Sequence, residues 1–234
     1  MTHPIISLAL STGRRVLNEV DSKHVLASVG IPVIPTRAAT SADEAAAIGL
    51  GVGYPVAAKV LADGISHKSD VGGVKLNLED DAAVLRAWGE LEGAARAVTG
   101  ATFEGVSIQP MALPGLELLL GARRDAQFGP VVTLGLGGVF VELLDDVVVR
   151  LAPVSDSEAT EMMDELRASR VLDGFRGSPP IDRAAIARAL SRLGDLMVGH
   201  PEISEVDVNP LFCYPDGVLA IDARIVLSGE TARR

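Results

Sequence analysis

Lys59, His67, Lys68 and the pair Gly72-Gly73 all fall between positions 59 and 73, inside AAKVLADGISHKSDVGGVKL (57–76). A strand-like run ends near Lys59, and GGVKLNL resumes strand character after the loop. An imidazole that is largely neutral at pH 7 can attack phosphorus. Lysine ammonium groups offset phosphate charge, and glycine lets backbone amides approach phosphate oxygens. These are the parts needed to handle a phosphoryl group; the alternative is a plain surface hairpin. His3, His24 and His200 have no comparable surroundings. The phosphate device is not a P-loop, because G-x-x-x-x-G-K-[ST] is absent, as is G-x-G-x-x-G. GLGVG (49–53) precedes a strand without opening a helix, and GLGG (135–138) reads as a hairpin turn.

A second cluster lies in EVDVNPL (205–211) and AIDAR (220–224). In a strand, Glu205, Asp207 and Asn209 share one face by period two. Asp222 follows on the next strand, within reach in a hairpin. Mg²⁺ takes one or two protein oxygens and completes six with phosphate and water. Asn209 and Asp222 fit that role, leaving Asp207 to steer the reacting group. The alternative is a polar sheet face followed by a turn. Between the clusters, QPMALPGLELLLG (109–121) can offer backbone groups to adenine and a carboxylate, Glu117, to ribose hydroxyls; read without context, Met111 and the Leu run are core.

The elements that must position these residues follow from pattern and punctuation. Residues 14–29 read as a helix stopped by Gly30 and Pro32, and GIPVIP as a short strand. Ser41 and Glu44 form a capping box opening an Ala-rich helix, and 80–98 is a longer helix. From 104 onward VSIQPMA, GLELLLGAR, PVVTLGL, VFVELL and DVVVRLAPV are strand-like runs separated by turns such as Asp145-Asp146, which predicts an antiparallel sheet. Two helices follow, the first opened by Ser155 and Glu158, the second placing Ile186, Leu190, Leu193 and Met197 on one face. The strands 204–212 and 218–226 close the chain around Pro215-Asp216-Gly217. The expected organisation is α/β (α+β), with subdomains 1–103 and 104–234.

Composition narrows the function. A formal charge of −10 argues against nucleic-acid or anionic-membrane binding, while local cations still allow metal-complexed nucleotide. The single Cys213 permits no internal disulfide, and its apolar setting (LFCY) reads as packing. The opening MTHPIISLALSTGRR lacks the marks of a signal peptide, and the apolar stretch 131–144 is broken by three glycines and too short to cross a bilayer. A cytoplasmic location is expected.

The order of these parts resembles the ATP-grasp fold, specifically the nucleotide-binding (beta) subunit of the ADP-forming acyl-CoA synthetases such as acetate–CoA ligase. The likeness runs through LNEVDSKHVLASVGIPV, ISHKSDVGGV, GLELLLGARRDAQFGPVVTLGLGGVFVELLDDVVVRLAP and EVDVNPL…AIDARI. Succinyl-CoA synthetase is similar in its terminal N-P-L and Asp pattern but differs in the Gly-rich loop. The resemblance implies two subdomains enclosing ATP or ADP. Lys59 would hold phosphates, with Lys68, Gly72 and Gly73 beside it. Gln109 and Met111 would meet adenine, and Glu117 the ribose. Asn209 and Asp222 would bind Mg²⁺, His67 would relay phosphate, and Asp207 would lie near the incoming phosphohistidine. It also implies a separate CoA-binding alpha-type partner carrying its own phosphohistidine, in a hetero-oligomer, because no CoA-binding Rossmann segment is present. Asp21 stands where relatives often carry glutamate. Two other classes remain open: an ATP-grasp carboxylate–amine ligase that needs no histidine relay, and a module that binds ATP without turning it over.

Overall fold

The computed structural model describes residues 2–65, 67–138, 146–174 and 177–228. The expected strand VFVELL (139–144) and Asp145 of the Asp145-Asp146 turn lie outside the described residues. In chain order the elements begin with α1 (Pro4–Ser11), β1 (Val16–Leu17), α2 (Glu19–Ser28), β2 (Arg37–Ala39), α3 (Ala42–Val52), β3 (Val56–Asp63), β4 (Val74–Leu78) and α4 (Asp81–Ala97). They continue with β5 (Thr102–Pro110), β6 (Leu116–Asp125), β7 (Gly129–Leu136), β8 (Val147–Leu151), α5 (Asp156–Glu165), α6 (Arg183–Gly199), β9 (Ile203–Tyr214), β10 (Gly217–Ala220) and β11 (Arg224–Leu227).

The chain forms two compact units: a smaller one of Asn18–Val20 with Ile34–Leu113, and a larger one of Met1–Leu17, Asp21–Val33 and Pro114–Arg234. This partition differs from a single break near 103. β5 pairs along its length with β3, which keeps it in the smaller unit, while most of the first 33 residues cluster with the C-terminal half.

In the smaller unit the strands run β2-β5-β3-β4, all antiparallel. Val56, Ala58, Val60, Val106 and Ile108 pack with Ile48, Val84 and Leu91 of α3 and α4 in one core. By strand alternation Lys59, Ser107 and Gln109 face the other way. In the larger unit the order is β1-β11-β9-β6-β7-β8, with β10 also on β9. Its core is aliphatic, and Ile186, Leu190, Leu193 and Met197 of α6 are each fully buried in it, as their spacing predicts.

Local chemistry accounts for the differences from expectation. GIPVIP makes only one isolated bridge, Val33 to Ala220, and the strand lies at 37–39 instead. Pro32 and Pro35 have no N–H to give a ladder. The helix expected over 14–29 starts only at Glu19, because Val16 and Leu17 pair with Val226 and Ile225 of β11. An additional helix, α1, is capped by His3, whose Nδ1 accepts from the Ile5 amide at 3.3 Å. The Ser41 box is half formed: Ser41 Oγ accepts from the Glu44 amide at 3.2 Å, but the Glu44 carboxylate turns to the Thr40 amide at 2.7 Å and hydroxyl at 2.9 Å. The Ser155 box is complete, with the Glu158 amide 3.2 Å from Ser155 Oγ and the Ser155 amide 2.8 Å from Glu158 Oε2. Ser155→Ala is expected to lower unfolding free energy by about 1 kcal/mol, read as an earlier urea midpoint with an unchanged slope. Among the described residues no helix is long and apolar enough to cross a membrane.

Candidate functional site

In the smaller unit, the two lysines converge on a residue the sequence reading passed over. Lys59 on β3 is buried, and its Nζ lies 2.7 Å from Glu19 Oε1; Lys68, from the following loop, places its Nζ 2.5 Å from Glu19 Oε2. The Glu19 side chain is fully buried at the first residue of α2. Ser107, the cross-strand partner of Lys59, donates its hydroxyl to Glu19 Oε2 at 3.3 Å. A buried carboxylate of this kind must be paired and hydrogen-bonded, and Lys59, Lys68 and Ser107 are among the groups that do so.

His67 immediately precedes Lys68 and is exposed, and no hydrogen bond of its ring to a described residue is present. The loop then tightens into a 3₁₀ turn at Ser69–Val71, closed by Gly72 at φ +70°. The amides of Gly72 and Gly73 donate inside the turn, to Ser69 O at 3.2 Å and Lys68 O at 2.7 Å. The glycine pair therefore serves loop closure rather than offering its amides to phosphate. A Cβ on Gly73 would stand 2.6 Å from Val60 Cγ1 and 2.8 Å from Lys68 O, so the turn closes this tightly only with glycine.

Gln109 is buried on β5 two residues beyond Ser107, and Thr36 Oγ1 donates to its Oε1 at 3.4 Å. Met111 is half-buried just past the strand, and its amide donates to Pro55 O at 3.2 Å. What Met111 can present to a base is therefore its thioether, not its N–H.

In the larger unit, β9 alternates as expected: Val206 and Val208 are buried while Glu205, Asp207 and Asn209 are exposed or half-buried. The strand expected over 218–226 is split, because Ile221, Asp222 and Ala223 leave the ladder between β10 and β11. Ala220 pairs with Leu211 and Arg224 with Asp207. From Gly217 to Val226 the two ladders share one register, which shifts only at Leu227, and in it Asp222 falls opposite Asn209. Asp222 Oδ1 accepts from the Ala223 amide at 2.8 Å. One carboxylate and one amide oxygen from facing segments are a fitting donor set for Mg²⁺, whose remaining positions phosphate and water fill. Among the described residues no three His, Cys, Asp or Glu side chains gather into an all-protein metal cage.

Glu117 sits on β6 opposite Phe212, further along the same strand β9. The Gly137 amide donates to its carbonyl at 2.7 Å, and a Cβ on Gly137 would lie 2.8 Å from Glu117 backbone carbon. GLGG thus ends β7 hard against Glu117.

The structure brings Lys59 and Lys68 together, with His67 adjacent, in the smaller unit; in the larger, Asp207 and Asn209 share a face of β9 and Asp222 falls opposite Asn209 in the register. Three residues were missed. Glu19 and Ser107 are legible only through the β3–β5 register, although a Glu at a helix start with Lys23 four residues on was a signal. Arg224 stands opposite Asp207, with Nη1 3.2 Å from Glu205 Oε1. Its Nε is buried without a hydrogen-bond partner among the described residues.

Comparison with known proteins gives the family. A family model described as an ATP-grasp domain matches residues 8–227. The chain is 41% identical over 214 residues to the beta subunit of acetate–CoA ligase (ADP-forming) I of Pyrococcus furiosus, covering 91% of this chain and 92% of that one. It is 42% identical over 226 residues to acetate–CoA ligase (ADP-forming) I of Archaeoglobus fulgidus, where it covers 97% of this chain but 33% of the relative, so it spans a third of that longer protein. Among solved structures, the dinucleotide-forming acetyl-coenzyme A synthetase 1 of Ca. Korarchaeum cryptofilum, in complex with coenzyme A and Ca-AMPCP, is similar at TM-score 0.92 and 44% identity, covering 96% of this chain and 98% of that chain. A second structure of that protein, with Mg-AMPPCP and a phosphohistidine segment pointing towards the nucleotide binding site, matches at TM-score 0.83 and 42% identity, with 96% and 98% covered.

Proposed function

We infer, because the chain belongs to the ATP-grasp domain family, that it is the nucleotide-binding subunit of an ADP-forming acyl-CoA synthetase. Its ATP-grasp fold is that of the family, and its near-complete overlap with beta subunits supports the assignment. The reaction is carboxylate + CoA + ATP ⇌ acyl-CoA + ADP + phosphate, completed by a CoA-binding alpha-type partner that carries a phosphohistidine, in a cytoplasmic hetero-oligomer. The observation that carries the reading is Asn209 standing opposite Asp222 where the terminal ladder opens.

In this reading Lys59 and Lys68 bind the phosphates, Gln109 and Met111 the adenine, and Glu117 the ribose, while Gly72 and Gly73 shape the loop. Asn209 and Asp222 would hold Mg²⁺, which supplies charge neutralisation on the transferring phosphoryl group when bound. Asp207 orients the incoming histidine. Towards the nucleotide, a nitrogen–phosphorus bond to histidine breaks as ADP oxygen takes the phosphoryl group; in reverse, the His67 imidazole attacks the γ-phosphorus and ADP leaves. Positioning and electrostatics do most of the catalytic work.

The test is incubation with [γ-³²P]ATP and Mg²⁺, with and without a CoA-binding partner. Acid-labile, base-stable label on this chain is expected, and His67→Ala should remove it and cut acyl-CoA-dependent ATP formation by at least ~10³-fold. Full turnover by His67→Ala would replace the relay with direct acyl-phosphate chemistry, and no label under either condition would indicate a binding module.

A further inference from the structure

Resting on the phosphoryl-relay reading, we propose that Glu19 is a positioning residue for the histidine loop: its carboxylate ties Lys68 to Lys59 and so holds His67, one residue away, against β3. Three features of the smaller unit carry this. The two Nζ atoms bind different oxygens of one carboxylate, at 2.7 Å and 2.5 Å, so neither lysine can shift without disturbing a contact of Glu19. The anchor is rigid, since Lys59 lies within the β3–β5 ladder and Ser107 braces Glu19 Oε2 from the paired position. The tethered end is the less enclosed one: Lys68 leaves a loop rather than a strand, and its side chain is 18% exposed against 6% for Lys59.

Charge explains why a carboxylate suits this post better than a neutral group. Two ammonium groups brought to one buried spot repel each other, and the shared anion offsets that repulsion. Removing the charge of Glu19 while keeping its shape leaves two cations in mutual repulsion. The more exposed one, Lys68, then departs and takes the His67 loop with it, while β3 and β5 keep their ladder.

The experiment is a double-mutant cycle on the full chain with Glu19→Gln, Lys68→Met and the pair. Hydrogen exchange of residues 67–73 is read without nucleotide, and acid-labile ³²P at His67 with Mg·[γ-³²P]ATP. Each single variant should speed exchange in 67–73 about tenfold, leave β3 and β5 amides protected, and lower His67 labelling about tenfold. The pair should be no worse than either single change, because all act through one tether. Wild-type exchange and labelling in the single variants, or effects that multiply in the pair, would overturn the proposal. If Glu19→Gln does not fold, Lys68→Met decides alone: a loop as protected and as well labelled as wild type refutes the tether. A wild-type chain that takes no label at His67 fails the relay reading and this inference with it, whereas a labelled wild type with indifferent variants fails only the inference.

Discussion

Asp222→Ala is expected to cut Mg-dependent turnover by at least ~10³-fold with the fold intact, because on the proposed metal role about 4 kcal/mol of transition-state charge stabilisation would go with this carboxylate. The fold survives because Asp222 lies outside both ladders. β10 pairs with β9 before it and β11 after it, and the carboxylate accepts a hydrogen bond from the adjacent Ala223 amide. Asp222→Asn, which keeps an oxygen but loses its charge, should fall in between and demand more Mg²⁺. Turnover is followed as ATP formation at increasing Mg²⁺, and stability by thermal melting. An Asp222→Ala protein that turns over at the wild-type rate would remove the metal role from this position.

Gly105→Ala should be the most damaging single methyl in the smaller unit, costing upwards of about 3 kcal/mol. Gly105 has φ +136°, and a Cβ there would stand 2.1 Å from Ala39 O on β2. The backbone fixes where the Cβ stands and the atom it meets is a backbone oxygen, so no rotamer change relieves the clash. The residue sits where the β3–β5 register shifts, between Leu61 and Ala62, upstream of Ser107 and Gln109. Urea unfolding reads the loss, and nucleotide affinity should fall with it as the strand carrying Ser107 loses its register. A cost under about 1 kcal/mol would contradict the close approach of β2 and β5.

Much of this was legible before any coordinates. Period-two alternation put Asp207 and Asn209 on one face, and the buried Val206 and Val208, each preceding one of them, enforce it. Ser155 with Glu158 and the apolar stripe of α6 were equally readable, since both are local rules. What escaped depended on partners distant in sequence. Glu19 acquires meaning only because β3 pairs with β5 and the loop folds back 49 residues downstream. The glycine pair at 72–73 was read for its freedom to present amides, yet close packing under Val60 gives those amides to the turn. The boundary expected at 103 followed a change in texture, whereas the units are set by which strands hydrogen-bond. Pro32 and Pro35 outweighed the apolar character of GIPVIP because a missing donor is absolute and a propensity is not.

The larger unit is interrupted at 18–20 and again at 34–113, and it closes around the longer gap. Val33 bridges to Ala220 of β10, and Leu116 pairs with Cys213 of β9. With β10 on β9 and β9 on β6, the two cut ends are separated by three strand spacings of about 4.8 Å each. A spacer of roughly six to eight Gly/Ser residues could bridge that distance, so the insertion can be excised in frame, with Glu19 made neutral because Lys59, Lys68 and Ser107 leave with it, giving the half that carries the proposed metal ligands.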